Sequence, residues 1–252
     1  MEPSRGNVSL FSERVRELWN SQNAARPLGD APPRRDWFLF ENKADSTDLY
    51  IFDAIYPNDG FGGGVGAADF QEQLNAVKSK QINLFLNSPG GLVHEGVTIF
   101  NALKAHPATV NVTVQGIAAS IASVIAQAGD TIQMAGGSMM MIHQAYGMTL
   151  GNASDMRKMA EALDKMTSSI AGIYASRSGK DTSHWLGLMA AETWFSDQEA
   201  VVAGLADSVV GAKPSASTPK AQLEETQPDA GTAARRQLAA AAYLEVIHAY
   251  AH

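Results

Sequence analysis

Between positions 37 and 210 the apolar residues recur in two spacings that take turns along the chain. Short apolar runs at 37–40, 49–55, 82–86, 110–114, 131–134 and 139–142 read as strands. Steps of three and four between them predict helices. The helix at 69–78 turns Phe70, Leu74 and Val77 inward. The helix at 92–105 buries Val93, Val97 and Phe100, with Ile99 and Leu103 beside them, and a third helix spans 120–128. Strand and helix alternating this closely predict βαβ units and a largely parallel sheet. A longer helix is predicted over 154–175, where Met156, Met159, Leu163, Met166, Ile170 and Ile173 form a narrow apolar seam suited to packing on another helix. Ser196-Asp197-Gln198-Glu199 is a capping box opening a short helix that stops at Gly204, and 205–210 return as a strand.

The flanks differ in composition, so the chain is expected to divide into three zones. Residues 1–36 form a polar arm with one short helical pattern, ending in the linker Ala31-Pro32-Pro33-Arg34-Arg35. Residues 37–210 form the folded body. Residues 211–252 begin as a polar linker rich in Pro, Ser, Thr and Gln and end in an Ala-rich tail with helix propensity but little amphipathic pattern. Both linkers are accessible in an extended form. The glycine-rich stretch at 56–66 reads as a flexible loop. No acidic residue follows it at the spacing a dinucleotide site needs.

Charge and composition narrow the function classes. The chain has 252 residues, is 45% hydrophobic and carries a formal net charge of −7. An acidic balance argues against nucleic acid and anionic membrane surfaces as partners. With no cysteine, thiolate nucleophiles and cysteine-ligated metals are excluded, and a reducing cytoplasm is the expected setting. No apolar run is long enough to span a membrane. The start of the chain leads into a charged segment at 12–17, so no signal peptide is expected.

Several motifs fail on spacing. His94-Glu95 lacks the second histidine four positions on, and Ser178-Gly179-Lys180 lacks the upstream glycine of a phosphate loop. Four features remain. Asn87-Ser88-Pro89-Gly90-Gly91 is a strand-to-helix turn that brings bare backbone N–H groups close to whatever lies above it. Ser120, in Gly116-Ile117-Ala118-Ala119-Ser120-Ile121-Ala122, starts an apolar helix among residues too small to shield it. His143 ends the run Met139-Met140-Met141-Ile142, and Glu192 precedes Thr193-Trp194-Phe195. Each alone has an ordinary structural explanation: a tight turn, an N-cap, a satisfied core histidine, a surface acid.

Together, in this order, they resemble the proteolytic subunit of the Clp protease, the ClpP family. That family reads roughly N-S-P-G-G, G-x-A-A-S, M-I-H-Q and a late F-L-S-x-x-E-A-x-x-x-G-L-x-D. The resemblance runs from about Trp37 to Val210. Glu41-Asn42-Lys43-Ala44-Asp45 and Glu192-Thr193-Trp194-Phe195 look closer still to the ClpP-like proteases of phages and prophages, which are implicated in head maturation.

The resemblance implies an α/β fold, a crotonase/ClpP-like spiral of βαβ units with a protruding handle helix where the seam lies. It implies a serine endopeptidase with Ser120 as nucleophile, His143 as general base, and Gly91 and Ile121 as backbone donors of the oxyanion hole. No cofactor or metal is implied. The family's acid is usually aspartate; here Glu192 holds that place, with Asp197 as the fallback. Implied partners are further copies of the chain in a ring, a heptamer or tetradecamer, and polypeptide substrates, capsid or scaffold proteins in the phage case. An AAA+ unfoldase is typical of the family, but the N-terminal arm does not look like the segment that gates the pore towards one. Three rivals stand beside this reading. A serine–lysine protease would need Lys158 or Lys165 as base. A crotonase-type acyl-CoA enzyme would not need Ser120 and His143 where they are. A non-catalytic shell protein would keep the fold alone. Loss of activity is expected as the base histidine protonates near pH 6.5.

Overall fold

In the computed structural model, residues 37–56 and 66–211 are described. The arm at 1–36, the glycine-rich loop at 57–65 and the tail at 212–252 lie outside them, as do the expectations placed there.

Alternation along two strands sets the layers. In β3 (Gln81–Ser88) the residues Ile82, Leu84 and Leu86 are buried, and in β4 (Thr109–Ala119) so are Val110, Val112 and Val114. Their neighbours face the other side of the sheet, as period-two geometry requires. β1 (Phe38–Asn42) lies antiparallel to β2 (Thr47–Phe52), and β2, β3 and β4 run parallel. Beyond β4 the sheet forks. β5 (Thr131–Met134) pairs with the first half of β4 and carries β8 (Ser208–Val209) on its outer edge. β6 (Met139–Ile142) pairs with the end of β4 and carries β7 (Thr193–Ser196) antiparallel. Two successive partners keep β4 going to Ala119, five residues beyond Val114, where its pairing with β5 ends.

Six helices are described: α1 (Ala67–Ala76), α2 (Val93–Ala105), α3 (Ile121–Ala126), α4 (Ala153–Ser178), α5 (Thr182–Ala190) and α6 (Asp197–Ala203). Phe70, Leu74 and Val77 are buried as the pattern requires. α2 is rolled from its expected face. Gly96, Ile99 and Leu103 are its buried residues, while Val93, Val97 and Phe100 are half-buried. Gly96 explains the roll: a Cβ there would lie 2.2 Å from Ile121 Cγ1, so only glycine lets α3 approach this closely. α5, for which the sequence pattern offered no reading, buries Trp185 and Met189. The strand expected over 205–210 shrinks to two residues. The N–H groups of Leu205 and Ala206 turn back to the Ala200 carbonyl behind the left-handed Gly204.

The apolar seam of α4 divides into two halves. Ile170 is buried with Thr167, Ala171 and Tyr174, whereas Met156 and Met166 are 52% and 40% exposed. Asn152 caps the helix by accepting from the N–H groups of Ser154 and Asp155. No described helix is long and apolar enough to cross a membrane.

Candidate active site

The three parallel strands β3, β4 and β6 end at one place, and each delivers a candidate group there. Pairing of Ala119 with Met141 leaves Ser120 and His143 just beyond the last ladder bonds, and the Ser120 N–H donates to the Met141 carbonyl at 2.9 Å. The site thus lies outside the carboxyl ends of parallel strands, where α/β sheets place their ligands. Ser120 Oγ lies 2.7 Å from His143 Nε2, within reach for direct proton transfer.

The turn that presents Ser120 is strained. Its φ of 54° and ψ of −128° belong to a region that glycine favours and other residues enter at a cost. The hydroxyl is thereby lifted off the head of α3 towards the imidazole. Ser120→Gly is therefore expected to be more stable than Ser120→Ala by about 1 kcal/mol, since alanine keeps the strain. Thermal unfolding of the two variants measures it, and a lower midpoint for the glycine variant would show the turn to be unstrained.

Opposite Ser120 stands the Gly90–Gly91 turn. Ser88 Oγ donates to the Asp53 carbonyl at 2.6 Å and accepts the Gly90 N–H at 3.1 Å, which locks the turn from inside. A Cβ on Gly90 would lie 2.8 Å from Ser120 Cβ, and one on Gly91 only 2.0 Å from the Ile55 carbonyl oxygen. Both positions require glycine for space. Among the described residues, no hydrogen bond uses the N–H of Gly91 or of Ile121. Both N–H groups thus remain available.

Antiparallel pairing settles which acid faces the histidine. The β6–β7 ladder ends at Ile142 with Thr193, so the next positions, His143 and Glu192, fall opposite each other. The N–H groups of Gln144 and Glu192 both donate to the Met189 carbonyl, at 3.2 Å each, which ties the two segments together. Asp197 follows the other end of the ladder, where Ser196 pairs with Met139, roughly 15 Å along the strand. Its carboxylate accepts from the Gly137 and Gln198 N–H groups. The fallback acid is thus occupied in helix-start chemistry. Glu192 does not hydrogen-bond His143; its Oε1 lies 3.5 Å from Trp194 Nε1 and it acts on the imidazole by charge.

Burial holds the His143 pKa below the usual imidazole value, against upward pushes from the Gln144 backbone and the Glu192 charge. This corrects the expectation of an ordinary histidine. A base must be neutral, so its activity fails as pH falls through that pKa, and the acid limb should lie below about pH 6.5. Glu192→Gln removes an upward push, so the limb should move lower still. The plateau should fall at least about tenfold, because the imidazolium formed during catalysis loses its counter-charge. A pH–rate profile tests both. Normal rates in Glu192→Gln with an inactive Asp197→Asn would assign the acid to Asp197.

Two residues in contact with this site were not singled out from the sequence. Ser123 hydrogen-bonds the Ser120 carbonyl, and Tyr174 of α4 hydrogen-bonds Ser123. A second serine three positions on, in an otherwise apolar helix, was the available signal for Ser123. Tyr174 had none, since its contact spans 51 residues. Lys158 and Lys165, the bases a serine–lysine mechanism would need, both lie on exposed positions of α4.

Comparison with known proteins adds the family context. The family profile described as Clp protease matches residues 67–213. The ATP-dependent Clp protease proteolytic subunit 1 of Salinibacter ruber is 32% identical over 134 residues, which covers 52% of this chain and 58% of that protein. The ATP-dependent Clp protease proteolytic subunit of Pleurastrum terricola is 33% identical over 137 residues, 54% of this chain and 70% of that protein.

Proposed function

Because the chain belongs to the Clp protease family, we propose that it is a serine endopeptidase whose catalytic groups are Ser120, His143 and Glu192. The observation that carries this is the 2.7 Å contact of Ser120 Oγ with His143 Nε2, made from a strained turn. His143 Nε2 takes the Ser120 proton as Oγ attacks the scissile carbonyl. The tetrahedral oxyanion receives the N–H groups of Gly91 and Ile121, and the head of α3 adds its favourable dipole. His143 then gives its proton to the leaving amine, and water reverses the sequence to free the acyl group. Glu192 stabilises the imidazolium.

The finer reading is a ring-shaped homo-oligomer of phage or prophage origin that acts on capsid or scaffold proteins in the bacterial cytoplasm. Glu41-Asn42-Lys43-Ala44-Asp45 and the Glu192-Thr193-Trp194-Phe195 run support it. The test is labelling with a fluorophosphonate, followed by incubation with the capsid protein encoded beside it. Stoichiometric labelling and discrete capsid fragments are expected. A protein that neither labels nor cleaves is a shell component on this fold, and one that labels but spares capsid protein is a general peptidase.

A further inference from the structure

Tyr174 is the largest polar side chain buried behind the site, and the mechanism above leaves it unused. It is 1% exposed, packed against Trp185 with ring centroids 5.5 Å apart, and its hydroxyl lies 2.7 Å from Ser123 Oγ. Ser123 Oγ lies in turn 2.5 Å from the Ser120 carbonyl oxygen. The proton inventory fixes the direction of this chain. A carbonyl has no proton, so the Ser123 hydroxyl must give its single one to Ser120, and the Tyr174 hydroxyl must donate to Ser123. Burial pushes the Tyr174 pKa upward, which keeps it a neutral donor.

The Ser120 carbonyl and the Ile121 N–H are two ends of one planar trans peptide group and point in opposite directions. Whatever fixes one fixes the other. We propose that Tyr174 and Ser123 are positioning residues: through the Ser120 carbonyl they hold the Ser120–Ile121 peptide so that the Ile121 N–H points at the developing oxyanion. The inference rests on the serine-peptidase reading of this site.

Two physical effects make the pair more than packing. A strained backbone conformation persists only where its surroundings over-determine it, and ψ of Ser120 is the torsion that sets this peptide plane. The Ser123 N–H also reaches the same carbonyl, at 3.0 Å, so the oxygen is held by two donors. Hydrogen bonds in series polarise one another, so donation into the carbonyl makes the N–H at the far end a better donor. An oxyanion donor acts on the transition state and not on bound substrate. Its weakening therefore lowers kcat and leaves KM in place.

The experiment compares wild type, Tyr174→Phe, Ser123→Ala and the double variant on a peptide substrate, with Ser120→Ala as the inactive reference. Tyr174→Phe should lower kcat about three- to tenfold, the weight of one hydrogen bond. Ser123→Ala should lower it about tenfold or more, as expected for a misdirected oxyanion donor. KM and the acid limb set by His143 should not move. The double variant should match Ser123→Ala, because a serial relay is already broken at its last link. A second arm does not depend on activity. Hydrogen exchange at the Ser120 and Ser123 amides should quicken in Tyr174→Phe, while the buried half of α4 and all of α5 exchange as before. Variants within twofold of wild-type kcat, or exchange unchanged at these two amides, would overturn the proposal. A wild type as inert as Ser120→Ala would refute the peptidase reading, and the exchange arm then decides whether the relay orders the turn.

Discussion

Replacing Ser120 by alanine should reduce peptide hydrolysis by at least about a thousandfold and abolish fluorophosphonate labelling, with the fold intact. The substitution removes one oxygen and keeps Cβ, so the strained turn, the Gly90–Gly91 wall and His143 stay where they are. What remains is the oxyanion donors and substrate binding, which alone give only residual catalysis. His143→Ala should cost about as much as Ser120→Ala, and the two together no more than either, because nucleophile and base act as one unit. Active-site titration and circular dichroism on all three variants check this. Undiminished hydrolysis by Ser120→Ala would remove this serine from the mechanism.

The second large effect concerns assembly. α4 as far as Met166 and the segment after His143 present Tyr146, Met148, Leu150, Met156 and Met166, with exposures of 72%, 85%, 93%, 52% and 40%. So much apolar surface on one region is more than an isolated soluble chain usually leaves open. Methionine suits an adaptable contact between subunits. A second copy of this chain is the expected occupant, as in the ring assembly proposed above. Leu163 is a poor probe of it. The segment at 143–151 crosses α4 there, and a Cβ on Gly147 would come within 3.5 Å of Leu163 Cδ2 and 3.3 Å of Met159 Cε. Met156→Glu with Met166→Glu perturbs the outward positions only. In an assembly it would bury unpaired charges. Light scattering should show the particle falling to single rings or smaller species, with helical signal unchanged and peptidase activity down about tenfold or more. A wild type that is monomeric and fully active would refute the compartmental reading.

Much of this protein is legible in its sequence because the signals are local. Strand and helix periods, the Ser196–Glu199 capping box and the Gly204 stop depend on neighbours within a few residues, and the elements expected from them are present, with ends that shift by up to five residues where β4 finds a second partner. Ser120 and His143 stood out locally only as polar residues ending apolar runs, with an N-cap and a core histidine as their ordinary explanations; the roles proposed for them came from the resemblance of the ordered motifs. Tertiary structure decided what depends on distant pairing. That Glu192 and not Asp197 lies level with His143 follows from the register of β6 on β7; the sequence had placed Glu192 first only through the resemblance and the capping box around Asp197. The roll of α2 follows from Gly96 meeting Ile121, 25 positions away in sequence but in contact because two helices lie side by side. The division of the α4 seam into a buried and an exposed part follows from what each part meets, since hydrophobic spacing is the same along both: Ile170, Ala171 and Tyr174 join the core, whereas Met156 and Met166 stay exposed. The lowered pKa of His143 and the Tyr174–Ser123 relay depend on burial and on a contact across 51 residues. A sequence specifies which faces are apolar; only the packed chain specifies what each face meets, and proton transfer and oxyanion stabilisation are set by those meetings.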